Sequence, residues 1–237
     1  MAAKDRLIVA LDVSSLEEAE LLVRELRSEV GWFKVGMQLF YHYGPRVVEA
    51  IQNWGARVFL DLKLHDIPNT VAEAVRALTR LEVGMLTLHT AGGREMLRRA
   101  VQAAREEAAL MGLRPPLMLG VTVLTSLSQS DLGELGLATP LRDLVVRWAN
   151  LAKQAGLDGV VASAREAKAL RLALGADLVI VTPGIRPSGS APEDQRRVTT
   201  PQEAVRAGAN YLVVGRPVTQ ALDPVAAVRR LLQELEE

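Results

Sequence analysis

The feature that most constrains this chain is an alternation. Short, continuous apolar runs give way to longer stretches of helical periodicity, and the pair recurs about eight times. The runs "RLIVALD" (6–12), "WFKVG" (32–36), "RVFLDLK" (57–63) and "VGMLTLH" (83–89) read as strands. So do "PLMLGVTVLT" (116–125), "DGVVAS" (158–163), "DLVIVTPG" (177–184) and "ANYLVVG" (209–215). Helical patterns fall at 14–30, 44–55, Pro68 onward, 93–110, 141–155, 164–174 and 223–236, with an extra turn expected near 128–135. Ser14 or Ser15 can cap the first of these, and acidic residues fill its first turn. Strands that are apolar on both faces belong to a parallel sheet covered on both sides. No linker, low-complexity tract or charge block divides the 237 residues. A single-domain α/β fold over 1–237, a (β/α)8 TIM barrel, accounts for the count and for the length, since such barrels run to about 250 residues. A doubly wound open sheet is the alternative, but the glycine fingerprint GxGxxG of dinucleotide sites is absent. Neither a P-loop nor a GxSxG nucleophile elbow is present.

Composition removes further classes. The 28 basic and 28 acidic side chains cancel, so there is no basic footprint for nucleic acid. With no cysteine, disulfides, thiolate zinc sites and thiol nucleophiles are excluded. The apolar run near the N-terminus meets Asp12 at once, too short to span a membrane and without a small-residue cleavage site. A soluble cytoplasmic protein with no membrane partner is therefore expected. The basic residues are 23 Arg and only five Lys, a bias that fits genome composition or a hot habitat without separating them. Against that usage, Lys34 and Lys63 stand out inside apolar strands, because lysine, unlike arginine, can give up its proton near neutrality.

In a barrel of this kind the active site forms at the C-terminal ends of the strands. The polar exceptions fall there repeatedly: Asp12 after strand one, Lys34 on strand two, Asp61 and Lys63 on strand three, and His89 on strand four. Thr125 and Ser126 are expected at the end of strand five, and Arg186 and Arg216 after strands seven and eight. Two-residue spacing puts Asp61 and Lys63 on one face, with Leu62 and Leu64 on the other. The two charges should thus meet in the barrel mouth beside Lys34, where carboxylates favour the ammonium form. An ion cluster serving only to hold register would gain little, since buried pairs contribute weakly to stability. Polar groups at nearly every strand end point instead to a functional site.

The last quarter carries a second signal. "TPGIRPSGSAPEDQRRVTTP" (182–201) is a long Gly/Pro/Ser-rich excursion, and "VGRPV" (214–218) follows strand eight. The loops after strands seven and eight are the usual phosphate site of the fold, and an Arg fork with backbone N–H groups suits a phosphate dianion. Loops longer than roughly 12–15 residues are commonly lids or disordered segments, which makes 184–200 a candidate lid. His42, His65 and His89 are the only histidines, and their spacing offers no i,i+4 metal pair. No metal and no cofactor is expected.

These residues carry a resemblance. "DLKLHDIPNT" (61–70) looks like the signature of the orotidine 5′-phosphate decarboxylase family. The likeness continues in order through "ALD" (10–12), "FKVG" (33–36), "VTVLTS" (121–126), "TPGIRP" (182–187), "DQRRVTTP" (194–201) and "LVVGRP" (212–217). The core D-x-K-x-x-D alone is shared with related phosphosugar enzymes, whereas the whole series is specific. The resemblance implies a homodimeric barrel that converts orotidine monophosphate to UMP and CO2 without metal or cofactor. It implies that Lys63 gives a proton to C6, that Asp61 lies near the departing carboxylate, and that Lys34 completes an alternating charge array. Asp66, Ile67 and Thr70 would reach into the partner subunit's site, while Asp12 and Lys34 hold the ribose. Thr125, Ser126 and Pro183 would lie around the pyrimidine, and Arg186, Gln195, Gly215 and Arg216 would hold the phosphate or close over it. The one departure is Glu193, where an aspartate is common.

The residue chemistry agrees with this. Loss of CO2 from an sp2 carbon leaves a localised carbanion with no electron sink. A fixed ammonium aimed at that carbon stabilises the charge and then supplies the proton. Two flanking carboxylates would keep Lys63 charged until then. Keto-gulonate-phosphate decarboxylases and hexulose-phosphate synthases keep D-x-K-x-x-D but resemble Mg2+ enzymes with a glutamate ligand on the second strand. Lys34 stands there in this chain and would repel the ion. A non-catalytic phosphate-binding barrel has no use for the intact Lys34–Asp61–Lys63–Asp66 set.

Overall fold

The structure is a computed structural model that describes residues 1–188 and 199–236. Among them, eight strands pair in chain order into a closed parallel barrel: β1 (Leu7–Ala10), β2 (Trp32–Gly36), β3 (Val58–Leu64), β4 (Met85–His89), β5 (Leu117–Val121), β6 (Gly159–Val161), β7 (Val179–Thr182) and β8 (Tyr211–Val214), with β8 closing on β1. Helices follow the strands and form the outer layer, as the (β/α)8 expectation requires.

Two separate apolar cores result from the two faces of each strand. Residues pointing outward, among them Leu7, Val9, Leu60, Leu62 and Leu86, pack against the helices in the larger core. Those pointing inward, including Ile8, Trp32, Phe59, Met85, Leu119 and Val181, fill the barrel itself. Gly84 lies where the Trp32 ring needs space: a Cβ there would sit 2.3 Å from a ring carbon. The N-terminal end is stapled by Arg171, whose guanidinium donates to the carbonyls of Gly208 (2.9 and 2.8 Å) and Ala176 (3.0 Å) and to the side chain of Asn210. Asn210 in turn accepts from the N–H of Ile180 at 2.8 Å, joining the entries of β7 and β8.

Helix boundaries follow local chemistry. Ser15 accepts from the N–H of Glu18 at 3.1 Å, and the Glu18 carboxylate accepts from the N–H of Ser14 at 3.1 Å. The helical pattern expected at 44–55 is preceded by a second helix, Met37–Tyr43, separated from Arg46–Asn53 by Gly44 (φ 62°) and Pro45. The periodicity of "MQLFYHY" is too short to show by itself. A helix at Pro201–Ala207 was legible in principle. Thr200 accepts from the N–H of Glu203, and the Glu203 carboxylate accepts from the N–H of Thr200, a capping box written as T-P-Q-E. Strand five is shorter than the run 116–125 suggested. It ends at Val121, and Thr125 and Ser126 belong to a turn beyond it. There the Thr122 hydroxyl donates to the Val161 carbonyl at 2.9 Å. Among the described residues no helix is long and apolar enough to cross a membrane.

Candidate active site

Lys34 and Asp61 occupy inward positions one step above the apolar filling of the barrel: Ala10 pairs with Lys34, Lys34 with Phe59, and Gly36 with Asp61. Both are buried, with side chains 11% and 10% exposed. A buried ion needs partners, and each has them. Lys34 Nζ lies 3.2 Å from Asp12 Oδ1 and 3.4 Å from Asp61 Oδ2. Lys63 Nζ lies 2.8 Å from the same Asp61 oxygen, and its side chain is 27% exposed. The result is an alternating line, Asp12–Lys34–Asp61–Lys63, whose last member opens to the cavity.

Asp61 and Lys63 do share a space, and Leu62 and Leu64 do pack outward. Regular strand alternation is not the cause, and that part of the sequence reading needs correction. Leu60 pairs with Leu86, but the next pair is Leu64 with Leu88, so β3 advances four residues while β4 advances two. The bulge places Lys63 at φ 53°. A left-handed conformation costs a non-glycine residue roughly 1–2 kcal/mol, and such strain persists where the surroundings over-determine it. Here they do: Lys63 N–H, withdrawn from the ladder, donates to Thr87 Oγ1 at 2.9 Å, and the Thr87 hydroxyl donates to Asp61 Oδ1 at 2.9 Å. Sequence reasoning missed Thr87. Its only signal was an inward position between Met85 and His89 in "MLTLH".

The electrostatics follow from these contacts. Burial acts to lower the Lys34 pKa, but the Asp61 and Asp12 carboxylates outweigh it and hold the ammonium above its ordinary range. Burial likewise acts to raise Asp61. The Lys34 and Lys63 charges and the Lys63 and Thr87 hydrogen bonds outweigh it and hold the carboxyl below its ordinary range. His89, half-buried at the end of β4, is pushed below its ordinary value by burial and by the neighbouring His65 and Lys63. Its ring lies 5.4 Å from that of His65.

These groups border a cavity of about 500 Å³ at the C-terminal mouth. Asp12, Lys34, Asp61 and Lys63 line it together with Thr125, Pro183, Arg186, Gly215 and Arg216. Because β3 and β7 stand four strands apart in a ring of eight, Asp61 and Lys63 face Arg186 across the barrel, whereas Gly215 and Arg216 follow β8 and so lie beside the β1 end that carries Asp12. The excursion after β7 is pinched at its neck, where Arg186 N–H donates to Thr199 O at 3.0 Å and Thr199 N–H to Gly184 O at 3.2 Å. Gln195 and the rest of the expected lid, 189–198, lie outside the described residues.

Not every expected residue joins the cavity. Asp66, Ile67 and Thr70 are exposed, and Asp66 accepts the N–H of Ile67 at 2.6 Å rather than meeting Lys63. Ser126 is also absent from the lining, although its neighbour Thr125 is part of it.

Fold and site together define a (β/α)8-barrel enzyme whose mouth sets a buried lysine–carboxylate centre against arginines suited to an anionic ligand. A model of the orotidine 5′-phosphate decarboxylase / HUMPS family matches residues 5–231. Orotidine 5′-phosphate decarboxylase of Syntrophomonas wolfei is 53% identical over 239 residues, covering the whole of both chains. That of Moorella thermoacetica is 55% identical over 237 residues, covering all of this chain and 94% of the relative. The crystal structure of orotidine 5′-phosphate decarboxylase from Lactobacillus acidophilus superposes with a TM-score of 0.87 at 37% identity, over 98% of this chain and all of that one. The chain belongs to the orotidine 5′-phosphate decarboxylase / HUMPS family.

Proposed function

We propose that this protein decarboxylates orotidine 5′-phosphate to UMP and CO2, a step of de novo pyrimidine biosynthesis, with Lys63 as the proton donor and without metal or cofactor. The observation that carries the reading is the Lys63 ammonium, partly exposed and held 2.8 Å from Asp61, which with Lys34 forms the buried middle of the charge line. The bond between C6 and the carboxylate breaks heterolytically, the electron pair stays on C6, and CO2 departs. The Lys63 ammonium stabilises that pair by proximity and then transfers a proton to C6; the lysine is reprotonated from solvent. Asp61 beside the leaving carboxylate disfavours the bound ground state and favours the same ammonium. Arg186 and Arg216, with Gly215 and with Gln195 from the 184–200 lid, hold the phosphate. Binding energy taken up there, remote from C6, is realised as the lid closes over the substrate. Asp12 and Lys34 hold the ribose, and Thr125, Ser126 and Pro183 border the pyrimidine.

Within the family the Mg2+-dependent phosphosugar chemistry fits less well. Lys34 Nζ already bridges Asp12 and Asp61, at 3.2 and 3.4 Å, and so occupies with positive charge the place a divalent ion would need. The test is turnover of orotidine 5′-phosphate by the purified protein in the presence of EDTA. UMP formation is expected; no UMP, or UMP only after Mg2+ is added, overturns the reading.

The working form is a cytoplasmic homodimer in which Asp66, Ile67 and Thr70 complete the partner's site. The support is that Met37, Tyr41 and Ile67 are large apolar side chains, 45%, 73% and 65% exposed, on the segments that follow two adjacent strands. Mixing inactive Lys63→Ala and Asp66→Ala chains should restore part of the activity. No recovery from demonstrated heterodimers would place Asp66 in its own subunit's site.

A further inference from the structure

Thr87 touches neither the cavity nor solvent. It is 0% exposed on β4 and absent from the lining of the mouth. Its hydroxyl nevertheless connects two groups of the reacting centre. It accepts from the Lys63 N–H at 2.9 Å and donates to Asp61 Oδ1 at 2.9 Å. The direction is fixed by chemistry: an amide N–H can only donate and an ionised carboxylate can only accept, so the single hydroxyl proton points to Asp61. With Asp61 Oδ1 taken by Thr87, Oδ2 is left for the Lys63 ammonium at 2.8 Å and the Lys34 ammonium at 3.4 Å. The hydroxyl thus closes a ring through the Lys63 backbone, the Lys63 side chain and the Asp61 carboxylate. The same contact replaces the ladder bond that the β3 bulge gives up, and it holds Lys63 at φ 53°.

We infer that Thr87 is a positioning residue for proton transfer: its hydroxyl sets the rotation of the Asp61 carboxylate and the backbone of Lys63, and through them aims the Lys63 ammonium into the cavity. This rests on the decarboxylase reading above. Valine on a strand fills nearly the same volume and removes only the hydroxyl, whereas serine keeps the hydroxyl and loses a methyl. The hydroxyl is the group that joins the Lys63 backbone to the Asp61 carboxylate. Thr87 does not reach the arginines across the barrel, so binding of the phosphate end should not depend on it.

The experiment compares wild type, Thr87→Val and Thr87→Ser for kcat, KM and UMP dissociation constant. Thr87→Val should lose about 10- to 100-fold in kcat, the rate equivalent of one hydrogen bond to a charged group. KM and UMP affinity should stay within about twofold, because uniform binding is untouched. Thr87→Ser should recover most of kcat. Unchanged kcat in folded Thr87→Val overturns the inference. So does a Thr87→Ser chain as impaired as Thr87→Val, or a kcat loss matched by an equal loss of UMP affinity, since either marks a packing role. If Thr87→Val does not fold, Thr87→Ala removes the hydroxyl without setting a methyl against the carboxylate and is judged by the same outcomes. Wild type that forms no UMP sinks the decarboxylase reading, whereas active wild type beside an equally active Thr87→Val sinks only the role of Thr87.

Discussion

Phe59 and Asp61 are consecutive inward residues of one strand, and they divide the barrel. Phe59 is 1% exposed and Asp61 7%, so burial does not distinguish them. Their neighbours do. Phe59 packs among Ile8, Trp32, Met85 and Leu119 and presents only hydrocarbon to the cavity it borders. Asp61, two residues on, has two ammonium groups and a hydroxyl within 3.4 Å. The lower layer derives its stability from apolar area removed from water. In the upper layer desolvation opposes ion pairing, and the net contribution to stability is small. A strand that changes its inward chemistry within two residues separates the part that holds the fold from the part that does the chemistry.

That separation can be broken from either side. The largest effect is expected from Lys63→Ala, which should lower kcat by at least about 10⁴-fold through loss of both the proton donor and its charge. Its stability should change by no more than about 1 kcal/mol, because a partly exposed ion pair contributes little. Steady-state kinetics and urea unfolding check the two halves, and a large loss of stability with retained turnover would merge the two layers. Phe59→Ala should behave in the opposite sense. It should destabilise the fold by about 3–5 kcal/mol through a cavity in the barrel filling, while UMP binding to the folded fraction persists.

The smallest expected effect is an absence of slope. Asp61 is held below its ordinary value of 3.8, so the stability its ionised form contributes is complete above 3.8 and is lost as pH falls through the lowered folded-state value. Lys34 is held above 10.5, so its contribution is complete below 10.5 and is lost as pH rises through the raised value. The stability difference between wild type and Asp61→Asn should therefore be nearly constant around neutral pH and change on stronger acidification, and again on alkalinisation because Asp61 is the main group that raises Lys34. Urea midpoints measured against pH test it. A difference that slopes near neutrality would mean that the Asp61 carboxyl is not held ionised by its lysines.

Much of this molecule was readable in one dimension. Eight apolar runs separated by helical periodicity define the barrel, because a strand covered on both faces leaves a continuous apolar signature that no loop shares. Lys34, Asp61 and Lys63 were visible as charges where a strand should carry none, and Arg186 and Arg216 by their place after the last two strands. The register shift between β3 and β4, the left-handed Lys63 and the tie to Thr87 were not. Each depends on which carbonyl or hydroxyl lies across the ladder, and that is set by closure of the barrel rather than by the residues next along the chain. The residue types and their order determined where charge would enter the mouth and that lysine would be available to move a proton. Only the tertiary structure decided that Asp61 turns one oxygen to a threonine and the other to two ammonium groups, because a carboxylate's orientation is fixed by the donors that surround it in space.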